Sequence, residues 1–186
     1  MKKINVVLYH PEIPQNAGNI MRSCVAFDAK LHLIRPYGFN INDKELKRSG
    51  LDYLKYLELE EYDDFDDFLS KNKGNFYFLT RYGNKTPKDI KWNETENNIY
   101  LFFGAESVGI AYDILKKYPN NLFRIPITKN VRSINLANTV AIMLYEASIN
   151  IPNQNLSIYE PEEFKGKNFI EEVDLNTLDY KHKEWI

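Results

Sequence analysis

Short β-branched and aromatic runs alternate with helical periodicity along most of this chain. That alternation restricts it to a sheet covered by helices. Ile4–Tyr9 reads as a buried first strand. His10-Pro11-Glu12-Ile13-Pro14 follows, and two prolines so close enforce an extended loop. The next segment predicts a helix over 18–28, with Ile20, Met21, Cys24 and Val25 as its apolar stripe and Arg22 on a different face. Residues 31–35 predict a second strand, closed by Pro36-Tyr37-Gly38. A short charged helix follows over 43–49, ending at Gly50, and then a third strand over 53–59. The acidic stretch 61–67 opens another helix with Tyr62, Phe65, Phe68 and Leu69 inward, because acids in a first turn suit the helix dipole. Residues 76–80 and Ile99–Phe103 read as buried parallel strands, 111–118 as a helix, and 122–127 as the last strand despite Pro126. Residues 135–149 predict a mostly apolar helix, striped by Leu136, Val140, Met143, Leu144 and Ala147 and extended by Tyr145 and Ile149. So apolar a helix is either deeply buried or packed on a partner chain. The class is α/β, a mainly parallel sheet with helices on both faces.

A chain of 186 residues suits one domain with a substantial core. No apolar run approaches the ~20 residues that span a bilayer, and Met1-Lys2-Lys3-Ile4-Asn5 lacks the pattern of a signal peptide. The single cysteine, Cys24, excludes an internal disulfide framework. The cytoplasm is the simplest location. A net charge of −2 argues against coating nucleic acid by bulk charge, but not against a local basic face. Lys44, Lys47 and Arg48 together, Arg22, and Lys129 with Arg132 are candidates for one, although 44–48 taken alone reads more readily as the solvated side of a helix. Metal chemistry finds little support. His10, His32 and His182 are scattered and no Cys/His pair has ligand spacing. Cys24 lies on an apolar stripe, so a nucleophilic role is disfavoured.

Three polar stretches stand at predicted strand–helix junctions: Asn16-Ala17-Gly18-Asn19-Ile20-Met21-Arg22, Phe103-Gly104-Ala105-Glu106-Ser107-Val108-Gly109 and Ser133-Ile134-Asn135-Leu136-Ala137-Asn138. In an open α/β sheet such junctions line one edge, where ligands bind. Taken singly, each reads equally as a helix cap or a turn. The glycine spacing matches neither a Rossmann fingerprint nor a P-loop.

Taken in order, Asn-x-Gly-Asn-x-x-Arg, Phe-Gly-x-Glu-x-x-Gly and Ile-Pro-Ile followed by Ser-x-Asn-Leu-x-Asn resemble the three motifs of SPOUT ribose methyltransferases. The chain is most similar to the compact branch that methylates the tRNA wobble nucleotide, also through Val7–Asn16, Leu31-His32-Leu33-Ile34, Arg48-Ser49-Gly50-Leu51-Asp52-Tyr53 and Tyr145-Glu146-Ala147. The resemblance runs from Ile4 to about Asn150. It implies a domain over 1–151 and leaves a tail over 152–186 outside it. It also implies a C-terminal trefoil knot, where residue patterning alone predicts an unknotted sheet.

The resemblance implies S-adenosylmethionine as cofactor, bound in a bent shape by Leu79, Thr80, Gly104, Glu106, Ile125, Ser133, Ile134 and Leu136. It implies a homodimer paired through the first and last helices, with Arg22 of one subunit facing the cofactor of the other. Arg22 is its catalytic residue. A guanidinium stays protonated near neutral pH, so its expected role is to stabilise charge on the ribose oxygen rather than to act as a base. Asn16, Asn19, Arg48, Asn135 and Asn138 are expected to contact RNA or shape the loops that do. The expected partner is the tRNA anticodon loop, whose unpaired nucleotides are accessible, with no membrane and no metal. Other targets on this reading are ribosomal RNA or another tRNA position, or RNA binding without catalysis. The first strand begins at Ile4, so the larger relatives' added N-terminal RNA-binding domain is not expected. Ala105 and Val108 depart from the pattern, which commonly has proline and a basic residue there.

Overall fold

β1 (Ile4–Tyr9), β2 (Lys30–Ile34), β3 (Leu59–Tyr62), β4 (Asn75–Leu79), β5 (Ile99–Phe103) and β6 (Leu122–Phe123) form one sheet in the order β3-β2-β1-β5-β4-β6. Every neighbouring pair is parallel. The structure is a computed structural model that describes residues 3–39, 51–93, 97–153 and 155–173. Its contacts divide the chain into Met1–Asn153 and Gln154–Ile186. No described helix is long and apolar enough to cross a membrane.

Side chains on a strand alternate faces, and both faces of this sheet are apolar. Val6 and Leu8, Leu31 and Leu33, and Ile99, Leu101 and Phe103 enter one core. There they meet Ile20, Met21 and Cys24 of α1 (Pro14–Ala26) and Val140, Met143, Leu144 and Ala147 of α4 (Leu136–Asn150). Val7, Ile34, Phe78, Tyr100 and Phe102 enter the other. That core is closed by Phe65 and Phe68 of α2 (Phe65–Lys71) and Ile114 and Leu115 of α3 (Tyr112–Lys117). Phe68 sits at its centre, edge-on to Tyr62, Phe76, Tyr100 and Phe102. Edge-to-face pairs of this kind add about 0.5–1.5 kcal/mol each beyond the area they bury.

Four expectations need correction. The helix expected over 18–28 begins four residues earlier, at Pro14, because proline is well tolerated where a helix has no N–H to satisfy. Asn16–Asn19 are therefore helical and do not cap from outside. The strand expected over 53–59 is a 3-10 turn, Leu51–Tyr56, and β3 runs later, over Leu59–Tyr62. Glu61 and Tyr62 thus belong to β3, and α2 starts only at Phe65, capped by Asp64, whose side chain accepts the Asp67 N–H at 2.8 Å. The last strand ends at Phe123, since Phe78 and Leu79 of β4 and an isolated bridge from Lys85 pair no residue beyond it and Pro126 brings no N–H to a ladder. The helix expected over 43–49 lies outside the described residues.

In the second unit, α5 (Phe169–Glu172) follows a turn in which Phe164 and Gly166 donate their N–H groups to the Pro161 carbonyl.

Candidate functional site

The chain leaves β1 toward β2 and leaves β5 toward β6, so connections diverge between adjacent β1 and β5. Such a switch point opens a crevice at the carboxyl ends of the strands. A cavity of about 560 Å³ lies beside it, walled by the segments that follow β1, β4, β5 and β6 and by the start of α4. Its volume falls in the range of sites for small molecules and cofactors.

Leu79, Phe103, Ile125, Ile127, Ile134 and Leu136 supply an apolar lining. Residues 125–134 belong to no helix or strand, so their main-chain groups are not consumed by a ladder and can meet a ligand. Two glycines let chain segments at and beside the cavity pack closely together. A Cβ on Gly104 would lie 2.2 Å from the Gly109 carbonyl carbon, and one on Gly83 would lie 2.3 Å from that of Phe123. Only glycine permits these approaches of chain to chain. Thr80 N–H donates to the Phe123 carbonyl at 2.9 Å, and Arg124 N–H donates to the Lys85 carbonyl at 2.8 Å. The β4 loop is thereby tied to the exit of β6.

A directed hydrogen-bond chain joins three of the walls. Asn135 is the N-cap of α4: its Oδ1 accepts the N–H of Ala137 at 2.8 Å and that of Asn138 at 3.3 Å. Its Nδ2 must then face outward, and it donates to Asn16 Oδ1 at 2.9 Å. Asn16 Nδ2 in turn donates to Glu106 Oε1 at 2.8 Å. The second Glu106 oxygen accepts the Glu12 N–H at 2.9 Å. Glu12 returns the contact, its carboxylate accepting the Ser107 N–H at 2.8 Å and the Ser107 hydroxyl at 2.5 Å. Those two bonds hold the Glu12 carboxyl below the usual carboxylate range. The β1 and β5 loops thus clasp each other, and the clasp is pinned to the first turn of α4.

Leu79, Thr80, Gly104, Glu106, Ile125, Ser133, Ile134 and Leu136 all line this one cavity, as do Asn16 and Asn135. Arg22, Asn19 and Asn138 are exposed on their helices and are not among its lining residues. The Arg22 guanidinium lies over the Tyr53 ring, 5.2 Å from its centroid. Arg48 lies outside the described residues. Sequence reasoning missed Glu12, Gly83, Arg81 and Arg124. Only Gly83, in an otherwise polar loop, carried a local signal; Glu12 meets a partner 95 residues away. Arg81, Arg124 and Arg132 line the cavity, and three cations there suit a carboxylate or phosphate group of a ligand. Among the described residues, no group of three or more His, Cys, Asp or Glu side chains is placed to hold a metal.

Three similarities bear on this site. A Listeria monocytogenes protein, provisionally named a tRNA (cytidine(34)-2'-O)-methyltransferase, is 46% identical over 144 residues, covering 77% of this chain and 85% of its own. A solved structure concerned with the 2-OH methylation of C/U34 on tRNA superposes with a TM-score of 0.73 at 36% identity, covering 80% of this chain and 96% of the other. An AdoMet-bound rRNA methyltransferase from Sinorhizobium meliloti shares the fold alone, with a TM-score of 0.72 at 22% identity, over 81% of this chain and 57% of its own. Residues 3–145 match the SpoU rRNA methylase family. A parallel sheet with its cavity at the strand ends, and a family match across nearly all of that sheet, make this chain a member of the SpoU methylase family.

Proposed function

We propose that this protein transfers a methyl group from S-adenosylmethionine to the ribose 2'-hydroxyl of a tRNA wobble nucleotide, cytidine or uridine, in the cytoplasm. The observation that carries the reading is convergence: loops from four strand ends and the start of α4 build one cavity in a chain whose relatives are named for this activity. The cavity fits the cofactor. It offers an apolar slot for an adenine, main chain along 125–134 outside any helix or strand for its polar edges, and a tight turn at Gly104 packed against Gly109. When bound, S-adenosylmethionine supplies an electrophilic methyl group on a sulfonium centre.

Positioning is then most of the catalysis the chain must provide. The Glu12–Ser107 and Glu106–Asn16–Asn135 bonds hold the cavity walls in register. Arg22 stabilises negative charge growing on the ribose oxygen, and the hydroxyl proton passes to solvent or phosphate. Because Arg22 is exposed and does not line its own chain's cavity, it serves the cavity of a second subunit. A homodimer through α1 and α4 is part of the same reading. It is supported by Ile142, Tyr145 and Ile149, which recur at helical spacing on α4 and are 44%, 60% and 61% exposed. A trefoil knot, which the motif resemblance implies, is part of that reading as well.

The test is methyl transfer to purified tRNA, with the mark mapped by nucleotide. Arg22→Ala should keep cofactor affinity and lose about 10²–10³ in turnover. Mixing Arg22→Ala with a variant that fills the cavity from an exposed lining position, Ser133→Trp, should restore activity, because each mixed dimer holds one complete site. An unmarked wobble ribose overturns the proposed target, and a mixture no more active than its components overturns the shared site.

A further inference from the structure

Tyr82 and Tyr112 stand side by side, 48% and 60% exposed, and Tyr82 lines the cavity. Their ring centroids are 5.7 Å apart with planes at 72°. Their hydroxyls are 3.0 Å apart, and Arg81 donates to the Tyr82 hydroxyl at 2.5 Å. The Arg81 guanidinium also covers the Tyr82 ring, 4.8 Å from its centroid. Arg124 Nη1 donates to the Arg81 carbonyl at 3.2 Å, which braces the loop from behind. The cluster is therefore a preset corner rather than two free side chains. One ring makes a floor, the other a wall, and a cation sits at the edge. Its parts come from the β4 loop and the first residue of α3, so the sheet alone brings them together. Burial does not explain this arrangement, because both rings remain in water.

We propose that Tyr82, Tyr112 and Arg81 form a docking corner for an unpaired nucleobase of the RNA substrate beside the reacting nucleotide, with Arg81 holding its phosphate. The proposal rests on the ribose-methylation reading for the identity of the ligand. Unpaired bases are recognised by stacking on aromatic and guanidinium planes, and three cavity arginines supply the matching charge. A single stacking contact is worth about 5- to 150-fold in affinity.

The experiment uses the full chain and an anticodon stem-loop RNA carrying 2-aminopurine at each unpaired position in turn. Wild-type protein should quench the probe at a position flanking the methylated ribose. Tyr82→Ala and Tyr112→Ala should each lose that quench and raise KM for the RNA at least about fivefold, with an unchanged urea-unfolding midpoint as the control for folding. Tyr82→Phe and Tyr112→Phe, which keep the rings, should restore both readouts. Unchanged KM and quench in both alanine variants overturn the corner. Loss in the phenylalanine variants equal to that in the alanine variants also overturns it, by assigning the effect to the hydroxyls. Wild-type protein that quenches the probe but methylates no RNA removes the ribose-methylation reading and leaves the corner standing.

Discussion

Replacing Glu106 with glutamine removes one charge and no volume, and the direction of the hydrogen-bond chain sets its effect. Helix N–H groups can only donate, so Asn135 Oδ1 must face Ala137 and Asn138. This orients Asn135 toward Asn16 and Asn16 toward Glu106, where two donors converge: Asn16 Nδ2 at 2.8 Å and the Glu12 N–H at 2.9 Å. A carboxylate accepts both. Glutamine has one oxygen and one amide nitrogen, so one donor must face another donor whichever way the amide turns. Hydrogen bonds to charged groups contribute about 1.5–3 kcal/mol. Glu106 is only half-buried, so solvent screening reduces the expected loss to about 1–2 kcal/mol. Asn16→Asp alone should cost a similar amount, because it sets two carboxylates against each other. Glu106→Gln combined with Asn16→Asp restores a consistent direction. The introduced aspartate accepts from Asn135 and from the introduced glutamine amide, whose oxygen in turn accepts the Glu12 N–H. Urea unfolding of the four proteins at pH 7 closes the cycle. The double variant should be more stable than the sum of the single losses predicts by about 1 kcal/mol or more. Strictly additive losses would refute the directional chain.

Two further outcomes are expected. Gly104→Ala should abolish cofactor binding in calorimetry and destabilise the fold by about 2 kcal/mol or more, since its Cβ meets main chain at 2.2 Å and 2.4 Å; binding at wild-type affinity would show that the turn can move aside. His32 is buried between Tyr62 Oη at 2.8 Å and Asn5 Oδ1 at 3.0 Å, and burial, then the Lys30 charge, lower its pKa to about 3. The unfolded chain therefore binds a proton that the folded chain refuses, so stability falls as pH drops below about 6.5, by about 2 kcal/mol at pH 5. Urea unfolding at pH 7 and pH 5 should show a smaller drop for His32→Gln by that amount, and equal drops would exclude His32 as the source.

Much of the sheet was legible because a strand buried on both faces needs a mostly apolar run, and Ile4–Tyr9, interrupted only by Asn5, and Ile99–Phe103 have one. β3 was not legible: Leu59-Glu60-Glu61-Tyr62 buries only one residue fully, and its pairing with β2 decides its state. The preceding 3-10 turn, rich in Leu and Tyr, looks more strand-like than the strand itself. In the same way Pro14 reads locally as a loop residue but stands at the first helical position, where the missing N–H costs nothing.

The amino-acid sequence by itself determined the class of fold, the two apolar faces of the sheet and the residue types at the strand ends, because periodicity and turn chemistry are local. Which residues meet was decided only by the tertiary structure. Glu12 finds Ser107 across 95 positions and Asn135 finds Asn16 across 119, through side chains whose own neighbourhoods carry no sign of the partner. Tyr82 and Tyr112 are 30 positions apart and become a pair only where the β4 loop and α3 converge at the cavity mouth. Hydrogen-bond direction and ring geometry are properties of pairs, and the folded sheet is what makes the pairs.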